Sequence, residues 1–296
     1  CSIQLSEAER RVMACMSLLA VAALLVLLAP GGVTRKPTID ERISKAKGKG
    51  HDFGPNKILT ELDILWDKDI YDALQERSRQ EKGKGKERRN REKRGAFYGQ
   101  LWPDNTVFYE FEEGTYTDEE KSLIQSAMQI WEDQTCIQFT ESTTATDRIM
   151  IQDMGACFSN IGRIGGIQIL SLRPQTCLDQ VVILHELGHT LGLLHEHTRP
   201  DRDDYVTIMW ANIYRENYKH FTKFDSADSL DQPYDYESIM HYGPTMLARD
   251  ISKPTIVTLD ESKQEVIGES ETLSSGDVEI VRLMYQCQSD GTDVLY

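Results

Sequence analysis

His185, Glu186, His189 and His195 are side chains that could together hold a metal ion and move a proton. On a helix His185 and His189 stand one turn apart, so both imidazoles leave the same face and can grip one ion. Glu186, next to the first of them, can lie beside a water on that ion. A helix continued past His189 would carry His195 away. Gly192 has no Cβ and can enter a left-handed conformation, which lets the chain turn back and present His195 as a third ligand. Three protein ligands and a water describe an open, catalytic zinc site rather than a closed structural one. A cysteine-held zinc site is disfavoured, because the chain contains no Cys-x-x-Cys pair.

The elements that would position these residues can be read on either side of them. Residues 106–111 are β-branched and aromatic, the pattern of a strand. Thr117 with Glu120 three residues on is a capping box opening a helix to about Gln134. Its Leu123, Ile124, Ala127, Met128, Ile130 and Trp131 recur at helical spacing and should face a sheet. Residues 137–139, 149–151 and 166–172 read as further strands, and the helix carrying His185 should start near Asp179. After Arg199 the chain is expected to be irregular, rich in Asp, Tyr and Pro, until a last helix near 275–285.

Charge divides the 296 residues unevenly. Residues 1–94 hold 20 basic and 14 acidic side chains, net +6, whereas residues 95–296 hold 13 and 34, net −21. The acidic part excludes nucleic acid as a partner, since its phosphates would be repelled. Arg91-x-Lys93-Arg94 stands directly before the change of sign and matches what furin-like convertases cut, so Arg94 is the expected propeptide boundary. Residues 13–29 are almost wholly apolar, preceded by Arg10 and Arg11 and broken by Pro30-Gly31-Gly32, which reads as a secretory signal. An uncleaved membrane anchor through 13–29 is the alternative, and that run is slightly short for one. The resulting plan is upstream residues plus signal in 1–34, a basic propeptide without a core of its own in 35–94, a working domain in 95–288 and a short tail in 289–296. Within the propeptide, residues 58–66 are the one candidate for order. Cys136, Cys157, Cys177 and Cys287 lie in the working domain, and an even number behind a signal suggests two disulfides; their spacing alone leaves three connectivities open.

Residues 185–205 (HELGHTLGLLHEHTRPDRDDY), Ser238-Ile239-Met240-His241-Tyr242 and residues 159–166 (SNIGRIGG) resemble the astacin metalloproteases, a branch of the metzincins, and the resemblance covers 95–287. It implies an α+β, two-subdomain fold, with an N-terminal twisted mixed sheet and two long helices, and an irregular C-terminal subdomain ending in a helix. It implies a zinc endopeptidase with one Zn2+ per chain, acting on protein or peptide substrates; with the signal and the cysteines, the expectation is a secreted, extracellular monomer. By position, His185, His189 and His195 are similar to the zinc ligands and Glu186 to the general base. Met240 is similar to the Met-turn floor, and Tyr242 to the tyrosine that ligates resting zinc and then hydrogen-bonds the transition state. Glu196 is similar to the acid that meets the new N-terminus, Gly95 or a trimmed Ala96, after the cut at Arg94. The family's disulfides imply Cys136–Cys287 and Cys157–Cys177. The segment at Cys157-Phe158-Ser159 would be the edge strand that pairs with substrate, with Phe158 where family members usually have Trp.

Astacin propeptides often carry Phe-x-Gly-Asp, whose aspartate occupies the zinc. Thr60-Glu61-Leu62-Asp63 is the nearest match and lacks both Phe and Gly, so Asp63 is the nominated latency residue and a solvated acid is the alternative. A non-catalytic binding protein on the same scaffold is the rival function, disfavoured because Glu186 and Tyr242 are both present.

Overall fold

The computed structural model describes residues 57–60, 62–67, 100–225, 227 and 229–288. The apolar segment 13–29, the basic tracts, Arg94, Gly95 and the tail from 289 lie outside the described residues. Among those described, no helix is long and apolar enough to cross a membrane.

Among the described residues, seven strands form one mixed sheet in the order β1-β2-β6-β7-β5-β3-β4. They are β1 (Lys57–Thr60), β2 (Ile64–Asp67), β3 (Thr106–Phe111), β4 (Gln138–Glu141), β5 (Arg148–Gln152), β6 (Phe158–Ser159) and β7 (Ile167–Ser171). β4, β3, β5 and β7 run parallel, and β6 turns back antiparallel against β7. The hairpin β1–β2 lies beyond β6, with β2 parallel to it through a single registered pair, Ile64 and Ser159. The ordered candidate at 58–66 is thus a hairpin added to the edge of the sheet.

Helix α1 (Asp118–Gln134) begins at the expected cap. The Glu120 N–H donates to Thr117 Oγ1 at 3.2 Å, and the Thr117 N–H donates to Glu120 Oε2 at 2.8 Å. Ile124, Ala127, Met128 and Trp131, spaced as one helical face, are its buried residues. They pack in one core with Val107, Ile149, Ile151 and Leu170 from the strands. Helix α2 (Gln180–Leu191) is buried at every position from Val181 to Leu191, and the polar residues within that span, His185, Glu186, His189 and Thr190, are buried with the rest. Asp179 caps it, accepting from the Val181 N–H at 3.0 Å. A buried helix end needs outside partners for its last carbonyls. Trp102 Nε1 donates to Thr190 O and Tyr285 Oη to Leu191 O, each at 2.9 Å.

Beyond α2 the backbone is mostly turns and single-turn 3-10 helices, as expected, with one departure. β8 (Val206–Ile208) and β9 (Ile256–Thr258) form a two-stranded antiparallel sheet inside the stretch read as irregular. Strands of three residues are too short for an alternating pattern to register in sequence. Helix α3 (Ser275–Met284) closes the fold behind a capping box of Ser274 and Asp277. Cys136 is bonded to Cys287, tying the end of α1 to the end of α3, and Cys157 is bonded to Cys177, closing the loop that carries β7.

Candidate metal centre

His185 and His189 leave the same face of α2, and Gly192 ends that helix with φ 114° and ψ 4°. Its N–H donates to the carbonyls of Gly188 and His189, and the Leu193 N–H also returns to Gly188. This left-handed stop swings the chain back and brings His195 Nε2 to 3.2 Å from His185 Nε2. All three histidines are buried.

Two of the three tautomers are set by backbone carbonyls, which can only accept. His185 Nδ1 donates to Ile239 O and His189 Nδ1 to Leu193 O, each at 2.8 Å. Their Nε2 lone pairs therefore point inward, the arrangement that metal-binding imidazoles need. Asp63 faces them, 1% exposed rather than solvated. Its Oδ2 is 3.1 Å from His185 Nε2 and 3.2 Å from His195 Nε2, and its Oδ1 is 3.8 Å from His189 Nε2. The four donor atoms all lie within 4.8 Å of one another. His189 Nε2 and Asp63 Oδ1 have no hydrogen-bond partner among the described residues. Lone pairs and a carboxylate gathered this closely repel one another unless a cation stands among them. Two donors about 2.05 Å from a tetrahedral zinc stand roughly 3.3 Å apart, close to the separations here. The donor set fits zinc.

Electrostatics sharpen the picture. Burial alone would raise the Asp63 carboxyl, but the charge of His195 and the close approach of the His185, His189 and His195 imidazoles outweigh it and hold the group well below the usual carboxylate range. Burial pushes His189 down to about 4, so its imidazole is neutral and free to ligate. Glu186 is buried beside the cluster with neither carboxylate oxygen partnered among the described residues. Burial, then the negative charge of Asp63, raise its carboxyl well above the ordinary range. A buried carboxyl with an elevated pKa is suited to accepting and returning a proton near neutral pH.

Met240 lies under this face of α2. A Cβ added to Gly188 would stand 2.9 Å from Met240 Sδ, so the thioether packs closely against the bare Cα of that helix position. The Tyr242 ring is buried, 4.8 Å from the His195 ring and stacked on His197 at 3.9 Å. Tyr234 Oη donates to His241 Nε2 and His241 Nδ1 donates to Tyr242 O, each at 2.7 Å, which fixes the backbone at that tyrosine.

Glu196 already has two donors among the described residues. Arg199 Nη1 donates to its Oε1 at 2.9 Å and the Asp235 N–H donates to the same oxygen at 2.7 Å. Burial nonetheless lifts its carboxyl to about 8, with Asp235 and Asp277 adding to the rise and Arg199 opposing it. Against its own burial, Arg199 is shifted upward by its hydrogen bond with Asp201 and the charge of Glu196. The short contacts from two donors are those of an accepting carboxylate. A cavity of about 490 Å³ opens beside Glu196, lined also by Asp235, Asp277 and Glu279.

Three structural residues have no counterpart in the sequence reading. Asp277, the third residue of α3, accepts from Ser274 N, Ser238 Oγ and Ile239 N, and so joins the helix cap to the turn that holds His185. A Ser-x-x-Asp cap signal at 274–277 could have revealed its first job but not its second. Besides nearby carboxylates, Arg199 donates to Gln232 O and Pro233 O and Arg202 to His197 O and Phe221 O, contacts with carbonyls that leave no pattern in the sequence.

Comparison with known proteins accords with this centre. Residues 96–286 match the family model of astacin, a peptidase family. An astacin-like metalloendopeptidase of Gallus gallus is 39% identical over 178 residues, 60% of this chain and 43% of that protein. The zinc metalloproteinase nas-8 of Caenorhabditis elegans is 38% identical over 189 residues, 63% of this chain and 46% of that protein. The chain therefore spans less than half the length of these relatives. Among solved structures, high choriolytic enzyme 1, a hatching enzyme zinc-protease from the medaka Oryzias latipes, superposes with a TM-score of 0.60 at 33% identity, covering 65% of this chain and 96% of that one. With a family model matched over most of its length and a donor set that fits zinc, the chain belongs to the astacin family of zinc metallopeptidases.

Proposed function

We propose that the chain is a zinc endopeptidase, made as a latent proenzyme and secreted, that hydrolyses peptide bonds in extracellular proteins. The observation that carries the reading is a single one: a buried Glu186 carboxylate, unpartnered among the described residues, beside three inward-facing imidazoles. His185, His189 and His195 hold the metal. Zinc, when bound, supplies Lewis acidity to a peptide carbonyl and lowers the pKa of water to about 7. Glu186 accepts a proton from the attacking water as the new C–O bond forms, and returns it to the nitrogen as the C–N bond breaks. Tyr242 donates a hydrogen bond to the developing oxyanion, and Met240 supports the helix from below.

Latency rests on Asp63. Its carboxylate stands where water and substrate would have to enter, and β2 covers the backbone edge of β6 that an extended substrate would pair with. Leu62 takes a φ of 80° in the turn before it, the left-handed region where the family's glycine would sit without strain. A furin-like convertase cutting after Arg94 would free the working domain, residues 95–288. The new N-terminal amine, at Gly95 or Ala96, then enters the cavity beside Glu196, where carboxylates favour a cation. The signal in 13–29 and the two disulfides support secretion; retention of that segment would instead anchor the protein to a membrane. The domain works as a monomer.

Glu186→Gln tests this directly. The variant keeps zinc and loses hydrolysis of casein by about 10²-fold or more. Near-normal turnover would remove Glu186 as the base.

A further inference from the structure

The hairpin β1–β2 does more than deliver a carboxylate: its side chains fill three apolar sites around the metal centre. Leu62, immediately before Asp63, is 2% exposed despite its left-handed backbone, and joins the cluster that includes Ile213, Phe221, Tyr234 and Tyr242. Ile64, immediately after Asp63, is fully buried with Ile161, Leu194 and Phe224. Leu65 is 3% exposed with Ala156 and Phe158. Successive side chains of a strand point to opposite faces, so β2 is covered on both. Strain at a left-handed leucine persists only where something offsets it, and here that is burial of the side chain.

We infer that these sites, once the hairpin leaves, take aliphatic side chains of the substrate on both sides of the bond that is cut. The inference rests on the endopeptidase reading above. The hairpin serves as a cast of the cleft: leucine on one side of the metal-facing residue, isoleucine and leucine on the other. Because the apolar sites flank Asp63 on both sides, the expected preference does not depend on which way a substrate chain runs. Charge points the same way. Residues 95–296 carry 13 basic and 34 acidic side chains, so acidic peptides are repelled before they reach the cleft.

The test uses the full chain, cut after Arg94 and loaded with zinc, acting on a mixed peptide digest, with every cut position read by mass spectrometry. Leu, Ile, Val and Met should exceed Asp and Glu by about tenfold on each side of the cut, within two residues of it. Acidic residues enriched there, or no preference for aliphatic ones, would overturn the inference while leaving the endopeptidase reading intact. No cut in any peptide would overturn both. A second readout needs no turnover. Labelled peptide 57–67 binds the cut Glu186→Gln chain, followed by fluorescence anisotropy, and Ile64→Asp in the peptide should weaken binding about tenfold or more. Equal binding would remove the Ile64 site from the recognition surface. Ile161→Ala in the protein should broaden the cut profile toward larger side chains on one side only, and an unchanged profile would contradict the assignment.

Discussion

Up to Leu191 the chain buries apolar side chains at regular intervals and satisfies its backbone inside helices and strands. From Gly192 onward the described residues form one short sheet, one α-helix and several 3-10 turns, and many loop carbonyls are met by side chains instead. Arg202 Nη1 donates to His197 O and Phe221 O, each at 2.8 Å. Arg199 reaches Gln232 O and Pro233 O, each at 3.0 Å, besides Glu196. Asn212 Nδ2 serves Asp250 O and Lys253 O. The physical reason is the cost of leaving a buried carbonyl without a donor. The metal centre sits on the seam: α2 supplies His185 and His189 from the regular half, and His195 comes from the first turn of the other. Both halves bury apolar side chains, the second around Phe221, Tyr242 and Ile256, but the second also relies on a few polar contacts to hold its loops, so damage at single polar residues should be larger there.

The sharpest way to break that contrast is Arg199→Ala. It removes the guanidinium from Glu196, Asp201 and two carbonyls, and loss of one partner of a buried ion pair costs about 3 to 5 kcal/mol. Urea unfolding should show that loss, and a change under about 1 kcal/mol would mean the irregular half is held by something else. Asp277→Ala should come next, at about 2 to 3 kcal/mol, because the Ile239 and Ser274 N–H groups and the Ser238 hydroxyl lose their acceptor together. Zinc affinity should fall with it, since Ile239 O orients His185. Unchanged zinc affinity would cut that link. The smallest effect belongs to the regular half: Thr117→Ala removes one helix cap, about 1 kcal/mol. A loss as large as that of Arg199→Ala would erase the distinction between the two halves.

The same division governs what could be read from sequence. Helix α1 was legible because a capping box and an apolar face lie within consecutive residues. His185, His189 and the turn at Gly192 were legible because helical spacing and a bare Cα are local facts. Strands β3, β4, β5 and β7 were placed within about two residues, whereas β1 and β2 were read only as one ordered stretch. The sheet of β8 and β9 was not placed, because three residues carry no period and the partners lie far apart in the chain. Arg199 escapes local reading: it stands three residues after Glu196 and pairs with it, a contact that no motif in the sequence singles out. Asp63 shows the opposite case. Its motif lacks the family's glycine, yet Leu62 adopts the glycine-like backbone and is buried, which no sequence rule would have favoured.

The most direct measurement follows the intact chain through activation: mass and casein hydrolysis before and after convertase treatment, with and without a zinc chelator, in the native protein and in Asp63→Ala. The expected result is a silent native chain, a cut after Arg94 that switches on chelator-sensitive hydrolysis, and an Asp63→Ala chain that hydrolyses casein before any cut. A clean cut with no activity would contradict the endopeptidase reading, and an uncut Asp63→Ala chain as silent as the native one would contradict the role of Asp63.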